Sequence, residues 1–340
     1  MSTPKLFRQL LVTCTVLIGG VANATSLTLP EANALSAGTY NNFSVYSLNL
    51  LKQCSDALDP RCLPTSGLTA QGGVQSGPGQ IADQAVVLAH DGGASNFISP
   101  FATGSAVDDV FQTPTGNGPN ASSSYTMVDG AGAFAGDLSN RWDISLSLLQ
   151  GYLGLHDLVF LFDNNQRGNG VEQFINVWGQ ARIVDAAGHT VNGLCFEIST
   201  GNAGCSDTGP NPTPIASDYL PVVSGFCVNH VSGAAYAPGA GGCDADDYLV
   251  NNNVSTSNAE FAAFNKALND AAKNINNGQY FLSLNIKYSG NNAGAEQLWI
   301  CSTCDIGARS QQVPEPSPVA LFAIALLGLG LVRSRANKQN

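Results

Sequence analysis

Alternating apolar and polar residues, the pattern of a strand with one buried face, recur along most of the chain. Phe43 and Val45 alternate with polar neighbours within residues 40–51, with Leu48 as a third candidate inward position. The same alternation marks residues 143–148. Together with short apolar runs, the pattern predicts strands at residues 40–51, 84–89, 143–148, 155–162, 171–184, 191–198, 282–288 and 298–301.

One of these segments departs from alternation. Leu155–Phe162 is almost entirely apolar, which is typical of a strand covered on both faces. Clusters of Asp, Asn and Gly at residues 163–170 and 185–188 separate it from the strands that follow, as turn chemistry requires. Closely spaced strands joined by such turns favour an antiparallel meander within a β-sandwich.

A single helix is predicted, at residues 258–277. Ser257-Asn258-Ala259-Glu260 has the form of a capping box. The residues that would share the apolar face of this helix are Phe261, Phe264, Leu268, Ala271 and Ile275. The predicted fold class is therefore mainly β, an antiparallel β-sandwich-like domain with one amphipathic helix near residues 258–277.

The N-terminus has the organisation of an export signal. Lys5 and Arg8 precede the apolar stretch Leu10–Val21, and Ala22-Asn23-Ala24 supplies small residues for signal peptidase. We expect cleavage after Ala24. A lipoprotein alternative would use Cys14, but threonine precedes that cysteine and apolar sequence continues beyond it.

The C-terminus carries a second targeting pattern. It consists of Val313-Pro314-Glu315-Pro316-Ser317-Pro318, the apolar run Val319–Val332, and the basic residues Arg333, Arg335 and Lys338. Fourteen residues form a helix of roughly 21 Å at 1.5 Å per residue. This is a short span, and its basic end favours a cytoplasmic location. The alternative is an ordinary membrane anchor that is never removed.

These residues resemble a PEP-CTERM sorting signal. The resemblance implies that an exosortase cuts near Val313, Pro314, Glu315 and Pro316, with Arg333 and Arg335 retained on the inner face of a Gram-negative inner membrane. It covers only residues 313–340 and identifies a destination, not an activity. The predicted organisation is a signal peptide (1–24), an extracellular β-rich body (25–312) and the sorting segment (313–340), whose short transmembrane segment is 319–332.

The charge of the body excludes some partners. The whole chain has a formal net charge of −11. The two terminal segments contain five basic residues and one acidic residue, so the body keeps 9 basic and 24 acidic residues, a net charge of −15. Nucleic acid is therefore not an expected partner, because binding its phosphates requires a basic surface. Membrane association is expected only transiently, through the C-terminal segment.

The cysteines indicate disulfides. Cys14 leaves with the signal peptide, and eight remain in an oxidising compartment. They fall into four couples that are close in sequence: Cys54 and Cys62, Cys195 and Cys205, Cys227 and Cys243, Cys301 and Cys304. Sequential pairing is the preferred interpretation, although eight cysteines allow 105 connectivities. Only Cys301 and Cys304 have metal-ligand spacing, and no second pair completes a zinc site.

Calcium is the one metal for which the sequence offers a candidate binding site. Asp163, Asn165 and Glu172 place oxygen ligands around a glycine-containing turn, the chemistry that calcium prefers. The EF-hand pattern is absent, and an ordinary hairpin turn explains the same residues. No other cofactor is expected.

Two further acidic groups are weaker candidates. Asp244, Asp246 and Asp247 form a cluster beside Cys243, which a solvated loop would also explain. Asp108-Asp109 is weaker still.

Motifs of nucleophilic, metal-dependent and nucleotide-dependent enzymes are missing from the sequence. His156-Asp157 is an adjacent pair, but neighbouring strand residues point to opposite faces unless a turn intervenes. Trp142, Trp178 and Trp299 fall in predicted strands, which favours core packing over a sugar-stacking surface. The sequence therefore names no catalytic residues.

The leading hypothesis is an exported, non-enzymatic cell-surface or matrix protein associated with exopolysaccharide in biofilm. Exosortase and signal peptidase would process it. The alternatives are a secreted hydrolase acting on matrix polysaccharide and a calcium-dependent adhesion module.

Overall fold

Two antiparallel sheets pack face to face at the centre of the protein. The computed structural model describes residues 26–31, 35, 37–75, 85–90, 106–108, 111–113, 134–138, 141–163, 175–201, 205, 214–222, 225–251, 258–275, 279–289 and 297–307. The strands are β1 Leu27–Leu29, β2 Ala37–Tyr40, β3 Phe43–Ser47, β4 Val74–Gln75, β5 Ala85–His90, β6 Phe111–Thr113, β7 Trp142–Ser145, β8 Val159–Asp163, β9 Ile175–Val184, β10 Thr190–Ile198, β11 Leu220–Val222, β12 Phe226–Val228, β13 Ala235–Tyr236, β14 Tyr248–Val250, β15 Asn258–Ala259, β16 Phe261–Phe264, β17 Phe281–Ser289, β18 Gln297–Cys301 and β19 Cys304–Ile306. The helices are α1 Leu48–Asp56, α2 Leu146–Leu153 and α3 Lys266–Asn274. The predicted mainly-β class is confirmed.

The larger sheet has seven strands in the order β2-β3-β16-β8-β18-β5-β6. All its pairs are antiparallel except β5 and β6. Every residue of β8 is buried, which confirms the prediction of a strand covered on both faces. This strand begins at Val159, later than predicted, and Leu155 is exposed in the turn before it.

The smaller sheet has the order β10-β9-β17-β7, with β11 also paired to β9. The predicted strand at 282–288 is β17, and Leu282, Leu284, Ile286 and Tyr288 all face the main core, as expected. The predicted turn at 185–188 joins β9 to β10, with Gly188 in the left-handed region at φ +81°.

The main core lies between these two sheets. Phe43, Phe160 and Phe162 from the larger sheet meet the apolar face of β17 and β9. A second core covers the opposite face of the larger sheet, where Tyr46, Leu161 and Trp299 pack beneath α1. A small sheet of β12, β13 and β14 packs against α1 from outside, through Val228 and Val250 against Leu50.

The first and last described strands lie side by side. Strand β1 pairs in parallel with β19, with Leu27 opposite Cys304 and Leu29 opposite Ile306. Hydrogen bonds from Leu27 N to Thr303 O (3.2 Å) and from Gly307 N to Leu29 O (2.8 Å) extend this pair at both ends. The two ends of the described body therefore meet in one two-stranded sheet on the α1 side.

The predicted helix at 258–277 is correct in type, but it begins too early. Helix α3 begins at Lys266, where the Asn265 side chain accepts a hydrogen bond from Leu268 N at 2.7 Å. Phe261 and Phe264 belong instead to β16, between β3 and β8. Because β16 is buried on both faces, all its positions are apolar. The spacing of Phe261 and Phe264 therefore also fits one face of a helix.

The strands predicted at 40–51 and 143–148 extend too far, because they include the first residues of two helices, α1 and α2. Ser47 and Ser145 each accept a hydrogen bond from the backbone three residues ahead and so begin α1 and α2. Leu48 is therefore a helix residue, and the strands predicted at 40–51 and 143–148 end at Ser47 and Ser145. In both cases a strand runs directly into a helix with no intervening turn residues.

Four disulfides join the cysteines in sequential pairs, as predicted. They are Cys54–Cys62, Cys195–Cys205, Cys227–Cys243 and Cys301–Cys304. Such bonds belong to a protein that matures in an oxidising environment. Among the residues that the structure describes, no helix has the length and apolar character needed to cross a membrane. The predicted segment 319–332 lies outside these residues.

Trp299 offers a test of the second core. It is 1 % exposed and belongs to the cluster that includes α1, on this face of the larger sheet. Trp299→Ala should lower the free energy of unfolding by about 3–5 kcal/mol, through lost burial and the cavity left behind. Leu155→Ala, at a side chain 75 % exposed, should change it by less than about 0.5 kcal/mol. Denaturant unfolding of both variants would measure this, and equal effects would contradict the packing described.

Candidate functional site

The outer face of the smaller sheet is polar, yet it is buried. Its side chains, called here the outer polar face, are Arg141, Asp143, Gln180, Arg182, Glu197, Ser283, Asn285 and Lys287. None is more than 9 % exposed. Charged groups are rarely buried without compensation, so this face is the most unusual chemical feature of the described structure.

Strand alternation creates this face. Along β17, Leu282, Leu284, Ile286 and Tyr288 point into the main core, and the polar residues Ser283, Asn285 and Lys287 point away from it. Pairing then aligns polar residues across the sheet, since Ser283 lies opposite both Asp143 of β7 and Arg182 of β9. Directly opposed residues on paired strands share a face.

Three carboxylates meet at the β7 edge of this face. One ligand oxygen from each of Asp108, Asp137 and Asp143 lies within 4.8 Å of the others. Asp108 and Asp143 are 0 % exposed, and Asp137 is partly exposed. Carboxylate oxygens in such a cluster can share a proton or hold a hard cation.

Backbone pairing fixes two of these carboxylates. The segment 106–108 runs along the free edge of β7, where Val107 forms a bridge with Ile144. Asp108 N donates to Asp143 O at 2.9 Å, and Asp143 N donates to Asp108 Oδ2 at 3.0 Å. Asp108 is thereby tied to the strand residue whose carboxylate it approaches.

The third carboxylate lies on a separate turn. The Phe134 ring stacks on that of Phe281, with centroids 4.0 Å apart and planes 15° from parallel. Gly136 packs so closely against Ala187 and Gly188 that a Cβ would overlap their backbone. These contacts hold the 134–138 turn, and with it Asp137, over the end of the smaller sheet.

Burial changes the electrostatics of this face. It raises the pKa of Asp143 well above the usual range, and the neighbouring Asp137 and Asp108 raise it further. Burial together with the positive charge of Arg182 lowers the pKa of Arg141 to about 10. The pKa of Lys287 is lowered by burial and by Arg141. Several perturbed groups in one place are a marker of functional sites.

The opposite end of the face is organised around Trp178. Its Nε1 donates to Glu197 Oε1 at 3.2 Å, and Ser199 Oγ donates to the same oxygen at 2.6 Å. The ammonium group of Lys287 lies 5.7 Å from the centroid of the Trp178 ring, within the range of a cation–π contact. Trp178, like Trp142 and Trp299, is fully buried. Trp142 and Trp299 belong to the two cores, as predicted, whereas Trp178 is buried on the outer polar face.

The predicted calcium residues are only partly placed by the structure. Asp163 is the last residue of β8, 3 % exposed and opposite Gln297 of β18. Asn165 and Glu172 lie outside the described residues, as do the sorting residues Val313, Pro314, Glu315, Pro316, Arg333 and Arg335.

The acidic group near Cys243 divides into two kinds of residue. Asp244 and Asp246 are exposed, as in a solvated loop. Asp247 accepts hydrogen bonds from His230 N at 2.9 Å and from the Tyr236 hydroxyl at 2.8 Å. Backbone and side-chain bonds from His230 hold the pKa of Asp247 well below its usual range. This carboxylate therefore organises its own loop.

A turn does place His156 and Asp157 close together, but they have different partners. His156 Nδ1 lies 3.2 Å from each carboxylate oxygen of Asp305. Asp157 accepts from Lys273 Nζ at 2.5 Å and from Ile306 N at 2.7 Å. Both residues therefore join β19 and α3 to the body of the protein, and no shared reactive centre forms.

An apolar gap also opens between the two sheets. Its lining consists of Val45, Phe162, Val177, Ile198, Leu220, Phe261 and Ala263. Among the described residues no polar side chain lines it, so this part of the gap lacks groups that would orient a sugar or another polar ligand.

Comparison with known proteins identifies a family but no activity. The family described as "Domain of unknown function (DUF8239)" matches residues 27–287, so the chain belongs to it. No curated protein and no solved structure matches the chain. Strands β18 and β19 follow the matched segment, although β18 lies in the interior of the larger sheet.

The raised pKa of Asp143 predicts how the stability of the protein depends on pH in the absence of divalent cations. Its folded pKa is raised, so the folded state binds the proton more tightly than the unfolded state does. Asp143 therefore does not lower the free energy of unfolding below about pH 4. Its destabilising contribution grows as pH rises toward the folded pKa. With EDTA present, Asp143→Asn should stabilise the protein at pH 7.5 by about 1 kcal/mol or more.

The stabilising effect of this variant should shrink toward pH 4, as measured by thermal unfolding across that range. Asp305→Asn, at another buried aspartate, is the control and should not stabilise at pH 7.5. Destabilisation by Asp143→Asn at neutral pH in EDTA would contradict the electrostatic description.

Proposed function

We propose that this protein is an exported, non-enzymatic cell-surface or extracellular-matrix protein that an exosortase sorts and that associates with extracellular polysaccharide. The observation that carries the proposal is the C-terminal order of Pro-Glu-Pro, apolar run and basic residues at 314–338. The N-terminal export pattern and the four disulfides support it.

The two ends of the described body lie side by side, and this arrangement suits cleavage at both the N-terminal and the C-terminal signal. Strand β1 begins three residues after the expected cleavage at Ala24, and the last described residue, Gly307, precedes Val313 by six positions. Because β1 and β19 pair with each other, both cleavages would fall next to the same small sheet. Neither would remove a described strand.

The geometry favours a binding role over hydrolysis. A glycosidase requires two carboxyl groups about 5 Å or more apart, facing each other across a cleft that admits the sugar. The clustered Asp108 and Asp143 are fully buried, with ligand oxygens within 4.8 Å of each other and of Asp137. Such closeness suits a shared proton or a cation better than a sugar ring between two carboxylates.

The surface also limits how polysaccharide would bind. All three tryptophans are buried, so stacking of sugars on an exposed tryptophan strip is not supported. The predicted body has a large excess of acidic residues. We therefore expect association with polysaccharide to depend on a divalent cation that bridges oxygen ligands.

Binding to the producer's own extracellular polysaccharide tests this role. The protein as its producer exports it, purified with its disulfides intact, should co-sediment with the polysaccharide in millimolar calcium. EDTA should release it. The same protein after reduction and unfolding is the control and should not bind specifically.

Binding that persists in EDTA would instead indicate direct contact with the sugar and would overturn the cation dependence. No binding in either buffer would contradict the association with polysaccharide. A role with a protein partner would then replace it.

A further inference from the structure

We propose that Asp108, Asp137 and Asp143 form a calcium-binding site that joins three separate segments of the chain at the β7 edge of the smaller sheet. The site does not depend on the association with polysaccharide proposed above. It also differs from the predicted turn at Asp163, Asn165 and Glu172.

The state of Asp143 is the first argument for a ligand. Its side chain is 0 % exposed, and neither carboxylate oxygen has a hydrogen-bond partner among the residues that the structure describes. Asp137 and Ser283 lie near enough to influence it without satisfying both oxygens. A buried carboxylate in this condition carries a large desolvation cost, and a bound cation would offset that cost.

The distances are the second argument. Calcium binds oxygen at about 2.3–2.6 Å, so two ligands on opposite sides of one ion are about 4.6–5.2 Å apart. The ligand oxygens of Asp108, Asp137 and Asp143 all lie within 4.8 Å of one another. These separations are compatible with one ion lying between all three oxygens.

The donor set selects the class of metal. The cluster contains only oxygen ligands, with no histidine or cysteine, so zinc and copper are disfavoured. Magnesium retains several waters and loses them reluctantly, whereas calcium accepts irregular protein oxygen shells. Because Asp108 and Asp143 are fully buried, the enclosed position favours calcium over magnesium.

Calcium would have a structural consequence at this place. Asp143 belongs to an edge strand, Asp108 to the segment that borders it, and Asp137 to the turn over the β9–β10 end. Linking them would fix the edge of the sheet and hold the 134–138 turn against it. Calcium would thus stabilise the exported form in a calcium-containing exterior.

Titration calorimetry with calcium alone is the direct test. The protein as its producer exports it, oxidised and stripped with EDTA, should bind one calcium ion with Kd of about 10⁻⁴–10⁻³ M, the range of extracellular modules. Asp143→Asn and Asp137→Asn should each weaken binding at least tenfold. Asp163→Asn, a buried aspartate of the rival turn, should bind as the wild type does.

Thermal unfolding separates lost binding from lost folding. Calcium should raise Tm in the wild type and in Asp163→Asn, but not in Asp143→Asn or Asp137→Asn. Asp137 is partly exposed, so its variant should remain folded even if that of Asp143 does not.

Absence of calcium binding by the wild type would overturn the proposal. The alternative explanation of the cluster would then be that its carboxylates share a proton. Loss of binding in Asp163→Asn with retention in Asp137→Asn would overturn it in favour of the turn after β8. Neither result depends on whether polysaccharide binds.

Discussion

Burial of the seven-stranded sheet on both faces is the constraint on which the rest of the structure depends. One face packs against the five-stranded sheet, and the other packs beneath α1 and the β1–β19 pair. A sheet of this kind requires two cores, and the second is built from short elements with little area of their own. The Cys54–Cys62 and Cys301–Cys304 disulfides both lie in that second core. The first joins α1 to the turn at Pro60–Cys62, and the second joins β19 to β18 of the sheet. Such bonds are available to a protein that matures outside the cytoplasm.

The same constraint explains which parts of the fold could be predicted from the sequence. Strand β17 alternates cleanly because one face meets the core and the other is polar, so its period of two is visible. Strand β16 has no visible period, because Phe261, Ala262, Ala263 and Phe264 are all buried, and its composition is equally compatible with a helix. Asn265 caps α3 locally, but the strand before it depends on pairing of β16 with β3 and β8, which local sequence does not encode.

The cluster of buried aspartates could not be predicted from the sequence, for a related reason. Alternation correctly placed Asp143 opposite the apolar face of its strand, but a polar residue there is expected to meet solvent. Its burial depends on segments distant in sequence, as does its meeting with Asp108 and Asp137, residues 35 and 6 positions away. Asp108-Asp109 was visible as an acidic pair, yet nothing local distinguished it from a solvated loop. The disulfides were predictable because each bond joins neighbouring cysteines.

The proposed role depends on maturation in an oxidising environment, which the four disulfides indicate. Two disulfides lie in the second core, and the ends of the described body meet in one small sheet. The central functional claim is that the protein is processed at both ends and delivered to the cell surface. Intact mass of the protein recovered from the surface of its producer tests this most directly. The account predicts a chain that begins at Thr25 and ends near Val313 with all eight remaining cysteines oxidised, and a surface protein that retains residues 319–340 would contradict it.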